Sequence, residues 1–470
     1  MSQATISGHP LVTTHEAIEQ FEVALRGDLI TPAHPRYEDV RALYNGMIDK
    51  RPALIARCLD VADVIVTVNF ARDNDVALAI RGGGHHGAGH SSVDDGLMLD
   101  LSLMKGIRVD PVARTVRVEA GCLQSEVDHA THAFGLATPT GTVGSTGVAG
   151  LTLGGGIGHL SRQHGLTIDN LLAADVVLAD GSLVTATVDE HPDLFWALRG
   201  GGGNFGVVTS FLFRLHHVDT IIGGPMLWPL DRAEDVMRWY RTFITEAPED
   251  LNGFFAFLTI PLVPLFPEAL HLQKMCGVVW CYTGSREEAD EILAPVRAQL
   301  PPLVDAVQPM PFPALQSAFD ALIPPGLQWY WKADFVRELT DEAIVKHIEQ
   351  AQKMPPFQST MHLYPINGAV HRTGRNETAF SYRDVTWAQV IVGIDADPAS
   401  AGEITRWARE YWKTVHPFSA GGAYVNMMME EGQERVQASY RDNYERLTQI
   451  KRQYDPANLF RINQNITPAV

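Results

Sequence analysis

The sequence predicts an α+β protein of two domains interleaved along the chain, and three observations predict it. Residues 53–220 alternate short apolar strands with helical patterns and carry three glycine clusters. Near 221 the texture changes to longer alternating strands and amphipathic helices, the pattern of an antiparallel sheet with helices on one face. At 470 residues the chain is also long for a single hydrophobic core. The expected boundaries are 1–220, 221–417 and 418–470.

The elements follow in order. HEAIEQFEVALR (15–26) has helical apolar spacing. ALIARC (53–58) reads as a strand, VADVIVTVNFARDN (61–74) as an amphipathic helix, and VALAIRGG (76–83) as a strand running into glycines. GLMLDLS (96–102) and TVRVEAG (115–121) are two further strands, and LQSEVDHATHAFG (123–135) is a helix closed by Gly135. A glycine-rich stretch fills 138–170, and 171–186 reads as two strands around an Asp-Gly turn. HPDLFWALRG (191–200) is a short helix, and 201–218 a glycine loop leading into a strand. Beyond 221, strands are expected at 253–260, 275–284, 327–336, 359–368 and 387–394, with a helix at 287–300. AYVNMM (423–428) reads as a short strand, and 433–454 as one long helix before a DP turn and an apolar tail.

Hydrophobic residues make up 46% and charged residues 20%, enough to bury a core without metal or disulfide staples. The net charge of −18 repels nucleic acid and anionic membrane, so neither is an expected partner. The four cysteines, Cys58, Cys122, Cys276 and Cys281, form no CxxC, zinc or disulfide framework and read as core thiols. No metal site is expected. The N-terminal segment has no basic region followed by an apolar one, and no stretch approaches a membrane span. A cytoplasmic monomer or homodimer is the expectation.

The glycine clusters are Gly82–Gly84, Gly154–Gly156 and Gly200–Gly203. Glycines let a backbone approach a pyrophosphate and present N–H donors. Gly201, Gly203 and Gly206 match GxGxxG, but that signature needs a strand before it and a helix after it. Here a helical DLFWALR precedes and VVTSFLF follows, so a dinucleotide-binding βαβ unit is excluded. No cluster carries the Lys-Ser/Thr of a P-loop. Three tight turns remain one explanation, and a large phosphate-bearing ligand the other.

Taken together, RPALIAR (51–57), RGGGH (81–85) with DGLMLDLS (95–102), GGGIGHLSRQHGLTIDN (154–170), DLFWALRGGGGNFGVVT (193–209), YVN (424–426) and NLFRINQNI (458–466) resemble the FAD-linked oxidases of the vanillyl-alcohol-oxidase type. The group resembled is the berberine-bridge-enzyme-like and 6-hydroxynicotine-oxidase-like one. The resemblance implies an FAD domain built from both chain ends, interrupted by a substrate domain. It implies that His85 links to the flavin 8α-methyl, with His86 as a neighbour easily confused with it. It places Arg81, Gly82, Gly83, Gly84, Gly87, His90, Ser91, Gly121, Thr142, Thr146, Gly147, Gly150, Gly155, Gly156, Gly158, Gly206, Val207, Tyr424, Asn426 and Asn463 around the cofactor. Many relatives add a second link from a cysteine in GTCPxVG. The aligned run here is Gly141–Gly147, with Val143 at the cysteine position, so a single tether through His85 is expected.

The resemblance further implies hydride transfer from a substrate C–H to flavin N5, with dioxygen as final acceptor. Such chemistry needs a group to take the accompanying O–H or N–H proton. Sugar-oxidising relatives use the last tyrosine of Y-x-N-Y, but here that position is Met427. Replacement candidates are His362 and Tyr364, which a period of two sets on one strand face. Gln389, where some relatives carry glutamate, Lys332 beside Trp329 and Trp331, and Thr146, a turn residue or a group that positions dioxygen, complete the set. The aromatics point to a flat, secondary-metabolite or alkaloid-like substrate rather than a sugar. A flavin-dependent oxygenase, a dehydrogenase using another acceptor, a carbohydrate or alcohol oxidase and a non-catalytic flavin-binding protein remain open readings.

Overall fold

In the computed structural model, which describes residues 13–263, 266–355 and 358–470, the strands assemble into three main sheets. Residues 1–12, read above for the lack of a leader, lie outside the described residues. The first sheet runs in the order Asp28–Ile30, Leu54–Arg57, Leu97–Asp100, Leu78–Arg81, and its last three strands are parallel. The helix Val61–Asp73 makes the crossover. Asp60 caps it by accepting the Asp63 N–H, and Val64, Val68 and Ala71 fill the core beneath.

The second sheet is antiparallel: Ile107–Asp110, Thr115–Glu119, Val207–Arg214, Leu171–Val177, Leu183–Ala186. Val207–Arg214 is inserted between strands made much earlier in the chain. The loop carrying the third glycine cluster therefore leaves the helix Pro192–Leu198 and enters a strand, the reverse of the βαβ order.

The third sheet has eight antiparallel strands, all between residues 220 and 395. Helices Ala233–Glu246, Arg286–Gln299, Asp341–Gln352 and Ala401–Val415 cover one face. The two-residue repeat sorts the strand side chains. Phe255, Phe257, Val278, Trp280, Met361, Leu363 and Ile391 pack under Met237, Tyr240, Leu293, Ile344 and Tyr411. Their neighbours Phe254, Ala256, Val279, Tyr364, Val390 and Val392 point the other way, toward the two smaller sheets. Burying each large side chain contributes about 1.5–3 kcal/mol, so the sheet is firmly held from its helical side.

Three features depart from the sequence reading. The strand Thr220–Pro229 carries Gly223, Gly224, Pro225 and Pro229, which hide it from propensity reasoning. The strand expected at 423–428 is instead a short 3₁₀ turn, Val425–Met427. The long helix expected at 433–454 is broken into Gln433–Tyr440 and Asn443–Tyr454. The break falls at Arg441 (φ 48°), whose guanidinium lies 3.5 Å from the Tyr382 ring centroid and bonds Asp384 at 2.6 Å. Those contacts outweigh continued helix.

The C-terminal segment closes on the third glycine cluster. Lys451, fully buried, donates to the Asn204 carbonyl at 2.7 Å, the Phe460 carbonyl at 2.9 Å and Asp455 at 2.6 Å. Asn204 Oδ1 in turn accepts the Ile466 N–H at 2.9 Å. All four cysteines are buried and free. No helix among the described residues is long and apolar enough to cross a membrane.

Candidate active site

Between the bare face of the large sheet and the glycine loops lies a cavity of about 470 Å³, within the range typical of ligand sites. The first and third glycine clusters reach it, through Gly82–Gly84 and through Gly202 and Gly203, and Gly206 lies on the wall beyond them. Gly147, Gly150, Thr142, Thr146 and Val207 line it too.

The glycines divide by what a Cβ would meet. On Gly83 it would lie 2.5 Å from the Gly147 backbone, so these two loops touch. On Gly156 (φ +80°) it would lie 1.9 Å from Thr167 Oγ1, on Gly158 1.9 Å from the Thr140 carbonyl, and on Gly154 2.2 Å from Asn426 Oδ1. Gly155 faces the Phe380 ring at 3.0 Å. These glycines serve packing. Gly150 and Gly203 line the cavity, and a Cβ on either would meet nothing within 4 Å. They keep space open for a ligand.

The wall also carries buried polar atoms with no protein partner: His90 Nε2, the Tyr440 hydroxyl and Asn463 Oδ1. Unpaired buried polar groups are costly, so they call for a polar ligand. Open glycine space and orphaned donors and acceptors together fit a dinucleotide cofactor.

His85 lies on the wall with its ring stacked on Tyr44, centroids 3.7 Å apart. Its Nε2 is 3.4 Å from Ser145 Oγ. Burial pulls its pKa down to about 4, so the imidazole is neutral. His86 packs against His90 at 4.6 Å and accepts the Ala88 N–H at 3.2 Å. Both line the cavity, as does Ser91. Lys50 braces this loop through the Gly89 carbonyl at 3.0 Å and the Ser92 carbonyl at 3.3 Å.

Across the cavity, the strand Thr360–Pro365 presents His362 and Tyr364 on one face, as the period of two requires. His362 Nδ1 and the Tyr364 hydroxyl are 2.7 Å apart. Burial holds the tyrosine up at about 12 and the histidine down at about 4. Phe254 packs on both rings, at 5.1 and 5.0 Å.

Two expected catalytic candidates lie elsewhere. Gln389 is buried and shares its strand face with Ile391, under the helices, away from the cavity wall. Lys332 also points to the helical side, where its ammonium pairs with Glu431 at 2.8 Å over the Trp412 ring at 4.6 Å. It is neither a cavity cation nor a surface lysine. Of the expected cofactor residues, Arg81, Gly87, Gly121, Gly155, Gly156 and Gly158 are off the wall. Arg81 binds the Val40 carbonyl and faces Asp100 at 3.7 Å. Gly121 abuts the Leu101 carbonyl, and Gly87 packs on Met429 and Trp331. They shape the loops instead.

Tyr424 and Asn426 do line the cavity, and they also lock the second glycine cluster. The Tyr424 hydroxyl accepts the Gly156 N–H at 2.9 Å and the Asn426 Nδ2–H at 2.8 Å. Val143 and Met427 sit on the wall, and no cysteine does. Sequence reasoning missed Tyr44, Ser145, Phe254 and Tyr440. Tyr44 and Tyr440 lie in ordinary loop and helical contexts, and only the fold stacks Tyr44 on His85 and brings Tyr440 to the cavity.

Comparison with known proteins agrees with this site. Residues 52–187 match the "FAD binding domain" family model, and residues 423–467 match "Berberine and berberine like". An uncharacterized FAD-linked oxidoreductase, YgaK, of Bacillus subtilis is 31% identical over 94% of this chain and 97% of its own. The (R)-6-hydroxynicotine oxidase of Paenarthrobacter nicotinovorans is 28% identical over 95% of this chain and 98% of its own. The crystal structure of 6-hydroxy-D-nicotine oxidase from Arthrobacter nicotinovorans superposes with a TM-score of 0.84 at 25% identity, covering 95% of this chain and 99% of that one. The chain belongs to the berberine-bridge-enzyme-like group of the vanillyl-alcohol-oxidase superfamily and is an FAD-linked oxidoreductase.

Proposed function

We propose that this protein is an FAD oxidase that removes a hydride from a C–H bond of a small, secondary-metabolite-like molecule and passes two electrons to dioxygen, giving hydrogen peroxide. The observation that carries the reading is that His85, Tyr364 and His362 open on one cavity. FAD, when bound there, supplies the two-electron acceptor. The oxidase activity named for the 28% identical relative supports the choice of acceptor.

The chain's own residues bind, orient and move a proton. Tyr364 takes the proton of a substrate O–H or N–H as the C–H bond breaks, while its own passes to His362 Nδ1, 2.7 Å away. Burial keeps His362 unprotonated above about pH 4, so its lone pair is available at neutral pH. Met427 leaves the usual tyrosine position without a base, and Tyr364, on the wall of the same cavity, takes over that task. Tyr44 and Ser145 fix the ring of His85, which holds the cofactor as its single covalent anchor. A second, sulfur link has no thiol at hand, since no cysteine lines the cavity and burial holds Cys122, Cys276 and Cys281 at about 12.

Acid-precipitated protein is expected to stay yellow with one FAD by intact mass, and His85→Ala to lose that colour on precipitation. Anaerobic addition of a substrate bleaches the flavin, and air restores it with one peroxide per product. Thr146, on the wall, favours a second reading, an oxygenase that inserts oxygen into the substrate. A product heavier by one oxygen, without stoichiometric peroxide, would select that reading.

A further inference from the structure

His85 is held from behind, by residues that do not face the cavity. Neither Tyr44 nor Ser145 lines it. The Tyr44 ring stacks on the imidazole with centroids 3.7 Å apart, and Ser145 Oγ lies 3.4 Å from His85 Nε2. One turn, between the strands Gln308–Pro311 and Gln328–Val336 of the large sheet, grips both residues. Ile323, at its end, takes the Tyr44 O–H on its carbonyl. Asp320, at its start, accepts the Gly144 N–H at 2.9 Å and the Ser145 N–H. A Cβ on Gly144 would lie 2.5 Å from Asp320 Oδ2, so this grip needs glycine there.

The hydrogen bonds of this chain run in one direction. A carbonyl only accepts, so the single Tyr44 hydroxyl proton goes to Ile323. The Tyr44 oxygen therefore accepts the Ser145 O–H. Ser145 Oγ, its own proton spent, has only a lone pair left for His85, so Nε2 carries the proton. Burial pulls the imidazole pKa down to about 4, and a neutral ring holds one N–H. Nδ1 is thus the unprotonated, nucleophilic nitrogen. It has no hydrogen-bond partner on any other described residue and is not closed off from the cavity that His85 lines.

We propose that Tyr44, Ser145 and the turn from Asp320 to Ile323 are positioning residues for the covalent attachment of FAD, presetting His85 to bond through Nδ1. This rests on the reading of His85 as the anchor and adds what prepares it. The new bond joins Nδ1 to the flavin 8α-carbon. One C–H of that carbon breaks, its proton leaving and its electron pair passing into the ring system. Nε2 gives up its proton as Nδ1 is alkylated. Both protons end on the two-electron-reduced ring system, and dioxygen takes up the protons and electrons as hydrogen peroxide. In the opposite tautomer the lone pair would face Ser145 and an N–H the cavity, and the bond could not form.

The test starts from the full chain made in riboflavin-starved cells. FAD is added in air, samples are quenched in acid, and intact mass follows the attached fraction with time. Ser145→Ala is expected to slow attachment by about thirtyfold, and Tyr44→Phe, which keeps the stack, and Asp320→Ala by about tenfold each, the rate equivalent of one or two hydrogen bonds. In a His85→Ala background the same substitutions leave the FAD dissociation constant within about twofold, because none of the three side chains reaches the wall. Carbon–proton correlation NMR of the flavin peptide identifies the bonded nitrogen: Nδ1 in the wild type, a mixture with Nε2 in Ser145→Ala. The wild-type linkage reads out even where a variant does not fold. Unchanged attachment rates, or an Nε2 link in the wild type, overturns the inference while His85 stays the anchor. A loss of FAD affinity as large as the loss of rate marks a merely structural role and also overturns it. FAD that washes off the wild-type protein in acid removes the anchor reading itself, and this inference with it.

Discussion

The two ends of this cavity are made of different material. At the glycine end the wall is largely backbone: Gly82–Gly84, Gly147, Gly150, Gly202 and Gly203 contribute no side chain, and what matters is where the main chain runs. At the sheet end the wall is side chain: Phe254, His362, Tyr364, Trp329 and Trp331 project from strands of the large sheet. The difference teaches that cofactor fit and substrate chemistry are set separately. A cofactor shared by a family needs a fixed path of backbone, whereas a substrate is chosen by a few exchangeable groups on a rigid sheet.

The sharpest way to break that comparison is to add a side chain at the glycine end. Gly203→Val and Gly150→Val place methyl groups in open cavity space, so both proteins fold and lose nearly all their flavin. Gly156→Ala does the reverse. Its Cβ runs into Thr167 from a left-handed backbone, at a cost of about 2–4 kcal/mol in stability. The ratio of flavin to protein absorbance and a urea midpoint separate the two outcomes. Full flavin in Gly203→Val would show that the open space is not the cofactor's.

At the sheet end, the proposed reading puts the proton transfer on single groups. Tyr364→Phe keeps the ring on the wall and removes the hydroxyl that faces His362. Anaerobic flavin reduction is expected to slow by about 10²–10³-fold with flavin content unchanged. Gln389→Leu leaves the rate within about twofold, because its side chain is on the helical face. Lys332→Met also spares the rate, but leaves buried Glu431 with only the longer Arg435 pair at 3.6 Å, which destabilises by about 1–3 kcal/mol. A large rate effect at Gln389 or Lys332, or none at Tyr364, would reverse the assignment of the two faces.

Burial of neutral histidines reaches both ends and predicts acid lability. His85, His86, His159, His164, His216 and His362 are all held near 4, and His347 near 3, against an ordinary value of 6.5. Between pH 6.5 and 4 the unfolded chain binds more protons at these positions than the folded one, so stability falls as pH falls. Asp128 opposes them. Burial raises it to about 7, so its contribution is lost as pH rises from 3.8 through 7. Burial raises Asp320 in the same sense; the seven histidines outweigh the two carboxyls, and the urea midpoint is expected to drop markedly from pH 7 to pH 5. A midpoint that rises on acidification would contradict the neutral state assigned to the histidines.

The same contrast decides what was legible in the sequence. Backbone needs leave glycine spacing behind, so the glycine clusters and the failure of the GxGxxG context are readable from residue order, whereas FAD and His85 entered only through the family resemblance of the combined motifs. Which glycines face the cofactor is not readable, because Gly150 and Gly156 look alike in sequence and differ only in what lies beyond Cα. At the sheet end the two-residue period correctly paired His362 with Tyr364. It cannot say which face of a strand is bare, and so Gln389 and Lys332 entered the candidate set although their faces are covered by helices. Tyr440 escaped notice because its helix was read as running on to 454. The break at Arg441 depends on Tyr382 and Asp384, far away in sequence.

Tyr440 gives the smallest effect and a distinctive one. Its hydroxyl is buried, lines the glycine end of the cavity and has no protein partner. If a bound cofactor satisfies it, removing the hydroxyl acts with opposite sign on the empty and loaded proteins. In a His85→Ala background, where FAD exchanges freely, Tyr440→Phe is expected to weaken FAD binding about fivefold, the worth of one hydrogen bond of about 1 kcal/mol. The flavin-free protein loses an unsatisfied buried polar atom, so its Tm stays level or rises slightly. Equilibrium titration with FAD and a melting curve of the stripped protein measure the two quantities separately. A purely structural tyrosine would lower Tm and leave FAD affinity unchanged, and that pattern would remove side chains from the glycine end of the comparison altogether.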